Sequence, residues 1–222
     1  MKAVILAAGF GTRMYPLTKN CAKALLPLKE RKVIDFIVNK LDFFEEIIIV
    51  SNNKFYNDFL SWKKGNIKII NNGVNNIEES KGWLEDLKLA LSDDDFLVLS
   101  SDNVFGFDLK EMLKNFKEEP LIAVTRTTKE NAKKHGIVEL ENNKVVSFEE
   151  KPSEPKSLTK TILCYMIPKK FVPLIKNYDG KEHLIELLLK NTKVKAFYFE
   201  EFCHDIGCLE DYGKAESLGQ LF

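Results

Sequence analysis

The sequence predicts an α/β fold: a mixed, mostly parallel central sheet with helices on both sides, a three-layer α/β/α arrangement, and a β-rich insertion in the second half. Short β-branched runs alternate with helical patterns up to Thr125, and such alternation produces parallel strands covered by helices. Runs such as "IIIV" and "FLVL" are apolar at every position, as in strands that are buried on both faces. With 222 residues, 45% of them hydrophobic, the chain has ample material for a core.

The elements of this alternating part follow from the spacing of its apolar residues. Short β-branched and aliphatic runs predict strands at Ala3–Leu6, Ile47–Ser51, Ile67–Asn71, Phe96–Ser100 and Leu121–Thr125. Apolar residues at helical spacing predict helices at Val33–Phe43, Lys54–Lys63, Trp83–Leu91 and Leu109–Phe116. The crossovers between parallel strands are expected to be right-handed.

The pattern changes after Thr125. The runs "GIVEL", "KVVSFEE" and "KTILCYMI" are strand-like with short breaks, and Asn142-Asn143 is typical of a hairpin turn. The stretch Lys151–Lys160, rich in Pro, Ser and Lys, is interpreted as a surface loop. Later elements are predicted as helices at Lys169–Lys176 and Glu182–Leu189, a strand at Val194–Phe199 and a helix near Leu209–Leu218. No repeat or low-complexity linker interrupts the chain, so a single domain over residues 1–222 is expected.

Composition and charge narrow the class of function. Lys and Arg total 33, as do Asp and Glu, and this balance argues against a general polyanion binder, so no nucleic-acid partner is expected. No apolar run approaches the ~18 residues of a membrane span, and the chain begins on a strand with no signal peptide, so no membrane partner and a cytoplasmic location are expected. The cysteines form no CxxC pair, which favours reduced thiols over a zinc cluster; they are Cys21, Cys164, Cys203 and Cys208.

The stretch "LAAGFGTRMYPLT" (Leu6–Thr18), which begins at the end of the first strand, has the character of a phosphate-binding loop. Glycines allow backbone N–H groups to approach an anion closely. Arg13 offers a rigid fork for phosphate oxygens, and Lys23 adds a compact charge. A glycine pair alone is weak support, because the same pattern also occurs in a tight strand-to-helix turn.

Two common kinds of phosphate loop are excluded by residues that they require. A Walker A loop ends in Gly-Lys-Ser/Thr, and this chain has Thr12-Arg13-Met14 at that point. A dinucleotide-binding loop needs a small residue where Met14 stands and an acidic residue where Ser51 stands.

A third kind of loop fits. The run "LAAGFGTRMYPLT…AKALLPL" resembles the signature of the sugar-1-phosphate nucleotidylyltransferases, the family of glucose-1-phosphate thymidylyl- and uridylyltransferases. In that family a Gly-x-Gly-Thr-Arg loop is followed by a lysine, here Lys23, with Ala22 where proline is usual. The resemblance spans the chain from Lys2 to about Ala215. It implies a Rossmann-like nucleotidyltransferase fold without the β-helix domain that members often add. The loop residues that it implies in nucleotide binding are Leu6, Ala8, Gly9, Gly11, Thr12, Arg13 and Lys23.

Two acidic residues match the metal ligands of this family. The strand "FLVLSSDN" ends on Asp102, at the edge where open α/β sheets bind ligands. The segment "FCHDIGCLEDYGKA" resembles the family's Asp-Ile-Gly-Thr-Pro-Glu-Asp-Tyr, which aligns Asp205 with the second ligand, and Cys208-Leu209 replaces Thr-Pro. The resemblance therefore implies a Mg²⁺ site at Asp102 and Asp205, and carboxylates are ligands that Mg²⁺ prefers. Alone, each Asp is more typical of a turn or a helix cap.

The remaining matches concern the acceptor and the base. The segment "VSFEEKP" resembles the family's Glu-Lys-Pro, which implies that Glu150 binds sugar hydroxyls and Lys151 the sugar phosphate. The segment "HGIVEL" matches a Gly-Val segment that places Gly136 close to the sugar. Gly82 matches the base-contacting glycine, but Trp83 replaces a small residue there. The segment that selects the base is thus the weakest match.

The resemblance implies a Mg²⁺-dependent transfer of a nucleotidyl group from a nucleoside triphosphate to a sugar 1-phosphate, with release of pyrophosphate. Arg13 is expected to hold the β- and γ-phosphates, Lys23 to neutralise charge in the transition state, and Lys151 to orient the acceptor phosphate. Asp102 and Asp205 are expected to hold the metal. A homo-oligomer is compatible with this assignment.

Other functions stay open. One is a cytidylyltransferase that acts on a non-sugar phosphate such as phosphocholine, and another is a non-catalytic nucleotide-sugar sensor. A glycosyltransferase is less favoured, because its Asp-x-Asp metal motif is missing: Asn103 follows Asp102, with no second acid. Retention of all five charged candidates favours an active enzyme over a sensor; they are Arg13, Lys23, Asp102, Lys151 and Asp205.

Overall fold

The structure is a computed structural model that describes residues 1–217, and it confirms an α/β fold with a mixed sheet. The strands are β1 Lys2–Leu6, β2 Pro27–Leu28, β3 Arg31–Lys32, β4 Ile47–Ser51, β5 Ile67–Asn71, β6 Phe96–Ser100, β7 Asn103–Phe105, β8 Leu121–Arg126, β9 Gly136–Glu141, β10 Lys144–Glu150, β11 Thr159–Ile167, β12 Val194–Tyr198 and β13 Cys203–Asp205. The helices are α1 Val33–Val38, α2 Tyr56–Trp62, α3 Trp83–Ala90, α4 Leu109–Asn115, α5 Lys129–Ala132, α6 Val172–Lys176, α7 Leu184–Asn191 and α8 Leu209–Ser217. Leu218, at the end of the predicted last helix, lies outside the described residues.

The chain groups into two compact units. Unit 1 comprises Met1–Leu91, Leu99–Gly106 and Phe202–Phe222, of which residues up to 217 are described. Unit 2 comprises Ser92–Val98 and Phe107–Glu201. The single domain expected from the sequence stays a prediction.

Unit 1 contains the parallel part of the sheet. β1 pairs with β4 in parallel, with Ala3 opposite Ile47, and β4 pairs in parallel with β5. The central residues of β1 and β4 are fully or almost fully buried, which explains their uninterrupted apolar sequence. α3 packs against β1 and β4, and α2 packs against β5. The alternation of strand and helix predicted for this part of the chain is confirmed.

Two small features of unit 1 differ from the prediction. The helix predicted at Val33–Phe43 ends at Val38, and Asn39 closes it with a hydrogen bond from its N–H to the Asp35 carbonyl. Leu41 is fully buried although it lies in the following turn, so the apolar pattern continues beyond the helix. The antiparallel pairs β2–β3 and β7–β13 were not predicted.

Unit 2 contains the β-rich part. β8 pairs in parallel with β12 and antiparallel with β11, while β9 and β10 form an antiparallel hairpin. Asn142 and Asn143 connect that hairpin with φ values of 50° and 58°, the left-handed conformation that Asn tolerates well. The predicted hairpin and the β-rich second half are confirmed. α7 packs against β10 and β12, whereas the short helix α5 was not predicted.

The four cysteines all lie within the described residues 1–217, and none of them forms a disulfide. Within residues 1–217, no helix is long and apolar enough to cross a membrane.

Candidate active site

The glycine-rich loop leaves β1 and is anchored to the end of β4. The Ala7 N–H donates to the Val50 carbonyl at 2.8 Å, and the Asn52 side-chain amide donates to the Ala8 carbonyl at 2.9 Å. Asn52 is completely buried, so this bond is well shielded from water. Gly9 is exposed, and a Cβ added there would meet no atom within 4 Å. The start of the loop is thus held by hydrogen bonds to the end of β4, while the backbone at Gly9 stays open to solvent.

Gly11 has a different structural reason to be glycine. Its φ of +64° lies in the left-handed region, and a Cβ there would lie 3.1 Å from Thr18 Cγ2. The buried Thr18 hydroxyl donates to the Gly11 carbonyl at 2.6 Å. The chain then forms a short 3-10 turn, Thr12–Met14, in which Met14 is fully buried and Arg13 is exposed. Met14 therefore anchors the loop in the core, and Arg13 faces solvent.

Lys23 and Asp102 form an ion pair. Their side chains are only 16% and 19% exposed, so solvent screens this pair less than an ordinary surface pair. The Ser100 hydroxyl donates to Asp102 Oδ1 at 2.7 Å and accepts a hydrogen bond from the Asn103 amide at 2.6 Å. Burial raises the pKa of Asp102. The Lys23 charge and the hydrogen bonds from Lys23 and Ser100 lower this pKa, and together they outweigh burial, so the pKa of Asp102 lies below its ordinary value. Asp102 is thus an anion at neutral pH.

The β7–β13 pair brings the backbone of Asp205 next to that of Asp102. Asp205 lies opposite Asn103 in the antiparallel register, and the Ile206 N–H donates to the Asp102 carbonyl at 2.9 Å. A Cβ at Gly207 would lie 3.4 Å from Asp205 Oδ1 and 3.6 Å from Arg13 Nη2. The Arg13 guanidinium and the Asp205 carboxylate therefore both lie next to Gly207. The charged cluster of unit 1 therefore consists of the Lys23–Asp102 ion pair and of Arg13 and Asp205, which both lie next to Gly207, with a backbone hydrogen bond between the two segments.

The donor set of this cluster suits Mg²⁺ better than a metal that needs many protein ligands. Within residues 1–217, no group of three or more His, Cys, Asp or Glu side chains could hold a metal ion. Mg²⁺ is usually bound through one or two carboxylates together with phosphate oxygens and water. Asp102, which follows β6, and Asp205, at the end of β13, supply two carboxylates of that kind.

The other predicted group lies in unit 2. Glu150 at the end of β10 is opposite Gly136 at the start of β9, and a Cβ at Gly136 would lie 3.1 Å from Glu150 Oε2. Glu150 Oε1 pairs with Lys151 Nζ at 3.2 Å, and both side chains are largely exposed. Lys151 has a φ of 48°, and its N–H donates to the His135 carbonyl at 3.1 Å. The hairpin therefore presents a carboxylate and an ammonium side by side.

Gly82 lies elsewhere in unit 1, at the start of α3. Its φ of +92° explains why glycine is required, and it is exposed. The preceding loop is held by asparagine side chains: Asn53 donates to Asn75 Oδ1 at 2.7 Å, and Asn72 donates to Asp86 Oδ1 at 2.7 Å. Sequence reasoning did not assign these asparagines.

Several residues that shape both groups were also missed. Thr18, Ser100 and Asn103 stand inside the quoted segments "LAAGFGTRMYPLT" and "FLVLSSDN" but were given no role in the site, and Asn52, which directly follows β4, stands in no motif. Phe148 and His183, whose rings stack on each other near Glu150, were missed as well.

Comparisons with known proteins agree with this architecture. A family model described as "Nucleotidyl transferase" matches residues 2–219. The chain is 31% identical over 221 residues to the bifunctional protein GlmU of Methanocaldococcus jannaschii, with 93% of this chain and 51% of that protein covered. It is 28% identical to a UTP–glucose-1-phosphate uridylyltransferase of Synechocystis, with 97% of this chain and 62% of that protein covered.

Solved structures show the same fold. The chain superimposes with a TM-score of 0.87 and 25% identity on a Bacillus anthracis protein assigned as a glucose-1-phosphate thymidylyltransferase, with 99% of this chain and 95% of that chain covered. For the UDP-glucose pyrophosphorylase of Acinetobacter baumanii the TM-score is 0.79 at 20% identity, with 97% and 91% covered. The chain spans about half the length of the GlmU relatives that it matches. On the extent of the family match and the 31% identity, this chain belongs to the nucleotidyl transferase family.

Proposed function

We propose that this protein transfers a nucleotidyl group from a nucleoside triphosphate to a sugar 1-phosphate, and so produces a nucleotide sugar and pyrophosphate. The observation that carries the proposal is the charged cluster of unit 1, in which a shielded Lys23–Asp102 pair lies beside Asp205 and Arg13. Family membership and relatives named for UTP and glucose 1-phosphate support the same reaction.

The triphosphate would be held by unit 1. The open backbone at Gly9 would approach the phosphates, and the guanidinium of Arg13 would bind the β- and γ-phosphates through paired hydrogen bonds. Lys23 would neutralise the negative charge that increases at the α-phosphorus in the transition state. Gly82 would lie near the base.

Asp102 and Asp205 would hold Mg²⁺, which when bound neutralises charge on the phosphate oxygens. Lys23 already balances one Asp102 oxygen. The same ammonium therefore keeps Asp102 ionised, as a hard-oxygen ligand must be.

The acceptor would be held by unit 2. Glu150 would accept hydrogen bonds from sugar hydroxyls, and Lys151 would bind the phosphate. Gly136 would let the sugar approach the strand closely. No general base is needed, because the attacking phosphate oxygen is already an anion at neutral pH. Catalysis would therefore consist of positioning and charge neutralisation.

The proposal can be tested with purified protein and Mg²⁺. ATP, GTP, CTP, UTP and dTTP would each be combined with a panel of sugar 1-phosphates and with phosphocholine, and the release of pyrophosphate measured. We expect release with at least one sugar 1-phosphate. Release with phosphocholine alone would identify the non-sugar cytidylyltransferase, and binding of a nucleotide sugar without any release would identify the sensor.

A further inference from the structure

Phe148 lies between the acceptor-binding candidates and a histidine. Phe148 and Glu150 are two positions apart on β10, so their side chains lie on the same face. A Cβ at Gly136 would lie 2.7 Å from Phe148 Cε2 and 3.1 Å from Glu150 Oε2. The absence of a side chain at Gly136 is therefore what leaves room for both the ring and the carboxylate.

A second ring supports Phe148. The imidazole of His183 stacks on it, with 4.5 Å between the ring centroids and an interplanar angle of 23°. His183 is also the N-cap of α7: its Nδ1 accepts from the Ile185 N–H at 3.3 Å, and its own N–H donates to Glu186 Oε2 at 2.7 Å. The backbone and side chain of His183 are thus fixed by the start of a helix, and its ring in turn limits the movement of Phe148.

His183 is close enough to the acceptor-binding candidates to respond to their charges. Burial lowers the pKa of His183, the charges of Glu150 and Glu186 raise it, and the charge of Lys151 lowers it; the net pKa is below the ordinary value. The ring is therefore a neutral imidazole at physiological pH. A neutral ring can stack on Phe148 without adding a cation beside the Glu150–Lys151 pair.

We propose that His183 is a positioning residue for the acceptor: its ring holds Phe148 over Gly136 and thereby fixes the Glu150 carboxylate beside Lys151. The inference rests on the proposed function, because it assumes that Glu150 and Lys151 bind the acceptor. Small displacements of binding groups are costly, since a misplacement of about 1 Å can lower a rate ~100-fold. Loss of the ring should therefore weaken acceptor binding and leave triphosphate binding unchanged.

Two substitutions at the same position separate stacking from helix capping. His183→Asn removes the ring but keeps a favourable N-cap side chain. His183→Phe keeps a ring for the stack but loses the capping acceptor. Lys190→Ala, an exposed change in the last turn of α7, controls for disturbance of the helix. The steady-state KM for the acceptor, the KM for the triphosphate and the Tm would be measured for each.

If the ring positions the acceptor, His183→Asn raises the acceptor KM by about tenfold or more, with a triphosphate KM within about twofold and an almost unchanged Tm. His183→Phe then has a lower Tm but an acceptor KM near that of the wild type. A normal acceptor KM in His183→Asn, or equal impairment of both variants, overturns the inference. A wild-type protein that forms no product with any pair overturns the proposed function itself, and this outcome is separable because it is measured before any variant is made.

Discussion

Gly9 and Gly11 lie in the same loop but are glycines for different reasons. At Gly11 the fold requires glycine, because the left-handed φ and the contact with Thr18 exclude a side chain. At Gly9 the fold imposes no such requirement: a methyl group would meet no atom within 4 Å. The proposed function supplies the missing reason, since a methyl group at Gly9 would obstruct a phosphate that approaches the backbone.

Gly9→Ala should therefore separate function from stability. We expect the free energy of unfolding to change by less than ~0.5 kcal/mol, as for a substitution in open space. We expect the KM for the triphosphate to rise by about tenfold or more, through loss of close backbone contact with the anion. Urea unfolding and steady-state kinetics measure the two quantities. Gly11→Ala is the matched comparison, and it should destabilise the fold by about 1 kcal/mol or more.

Lys23→Ala should lower kcat by at least ~100-fold, because one preorganised charge at the reacting phosphate is lost. Lys19→Ala, an exposed lysine in the same loop, is the matched control and should retain wild-type kcat. Both proteins need a melting curve, since Lys23→Ala also leaves the largely buried Asp102 without its counterion. A folded Lys23→Ala protein with normal turnover would remove Lys23 from the proposed mechanism.

Charged residues of the candidate site could be predicted at this scale, whereas their neutral neighbours could not. Arg13 and Lys23 stand in a loop that resembles a family signature, and Asp102 directly follows the strand run "FLVLSS". Ser100, which bonds to Asp102, is one serine among many, and its role depends on a hydroxyl orientation that only the folded chain determines. His183 is separated from Glu150 by more than thirty residues, so the ring contact between Phe148 and His183 had no local signal.

At the scale of an element, α1 begins with a buried carboxylate. Asp35 accepts hydrogen bonds from the Lys32 N–H at 2.8 Å, from Trp62 Nε1 at 3.1 Å and from Lys64 Nζ at 3.1 Å. Burial raises the pKa of Asp35. These hydrogen bonds and the Lys64 charge lower this pKa, and together they outweigh burial, so the pKa of Asp35 lies below its ordinary value. The carboxylate therefore joins the start of α1 to the end of α2.

Asp35→Asn should destabilise the protein in a pH-dependent way. Because the folded pKa lies below the unfolded pKa of about 3.9, the ionised group stabilises the fold above that pH, and this contribution is lost as the pH falls through the folded pKa. We expect a loss of about 1–3 kcal/mol at pH 7, as for hydrogen bonds to a charged group, and a much smaller loss in strong acid. Urea unfolding of the wild type and of Asp35→Asn at a series of pH values measures this difference in the free energy of unfolding.

Asp58→Asn is the control for this prediction, because Asp58 is an exposed acid in the first turn of α2. It should change the free energy of unfolding by less than ~0.5 kcal/mol. A loss in Asp35→Asn that stays constant from pH 7 into strong acid would contradict the assigned role of the carboxylate charge.

Elements differed in how well the sequence could predict them, and burial explains the difference. The bounds of β4, β5 and β6 were predicted to the residue. For β4 and β6 the reason is that strands packed on both faces leave an uninterrupted apolar run, whereas the edge strand β5 was recognised from its isoleucines although Lys68 is exposed. β7 and β13 are only three residues each and pair across about a hundred positions. No local pattern specifies such a pair, although it is what brings Asp205 to Asp102.

At the scale of the whole molecule, the fold class could be predicted, because alternating strands and helices produce a helix-covered, mostly parallel sheet. The single domain expected from the sequence stays a prediction. The chain passes between its two compact units at four points, one of them between Val98 and Leu99 inside the buried strand β6. A buried strand is the opposite of the flexible linker, rich in proline, glycine or polar residues, that composition can reveal.

Ligand binding should be visible in the stability of the whole molecule, because a ligand that binds only the folded state stabilises it by mass action. At a triphosphate concentration of 100 Kd with Mg²⁺, the stabilisation is about 2.7 kcal/mol, which for a chain of this size raises Tm by about 5–10 °C. EDTA should abolish most of the shift, and so should Asp205→Asn. Glu210→Gln, which changes an exposed acid near Asp205 in sequence, should show the same Tm shift as the wild type. A Tm shift of equal size in EDTA would show that the triphosphate binds without a metal. That result would remove Asp205 from its proposed role as a metal ligand, but it would leave the proposed phosphate contacts of the loop in place.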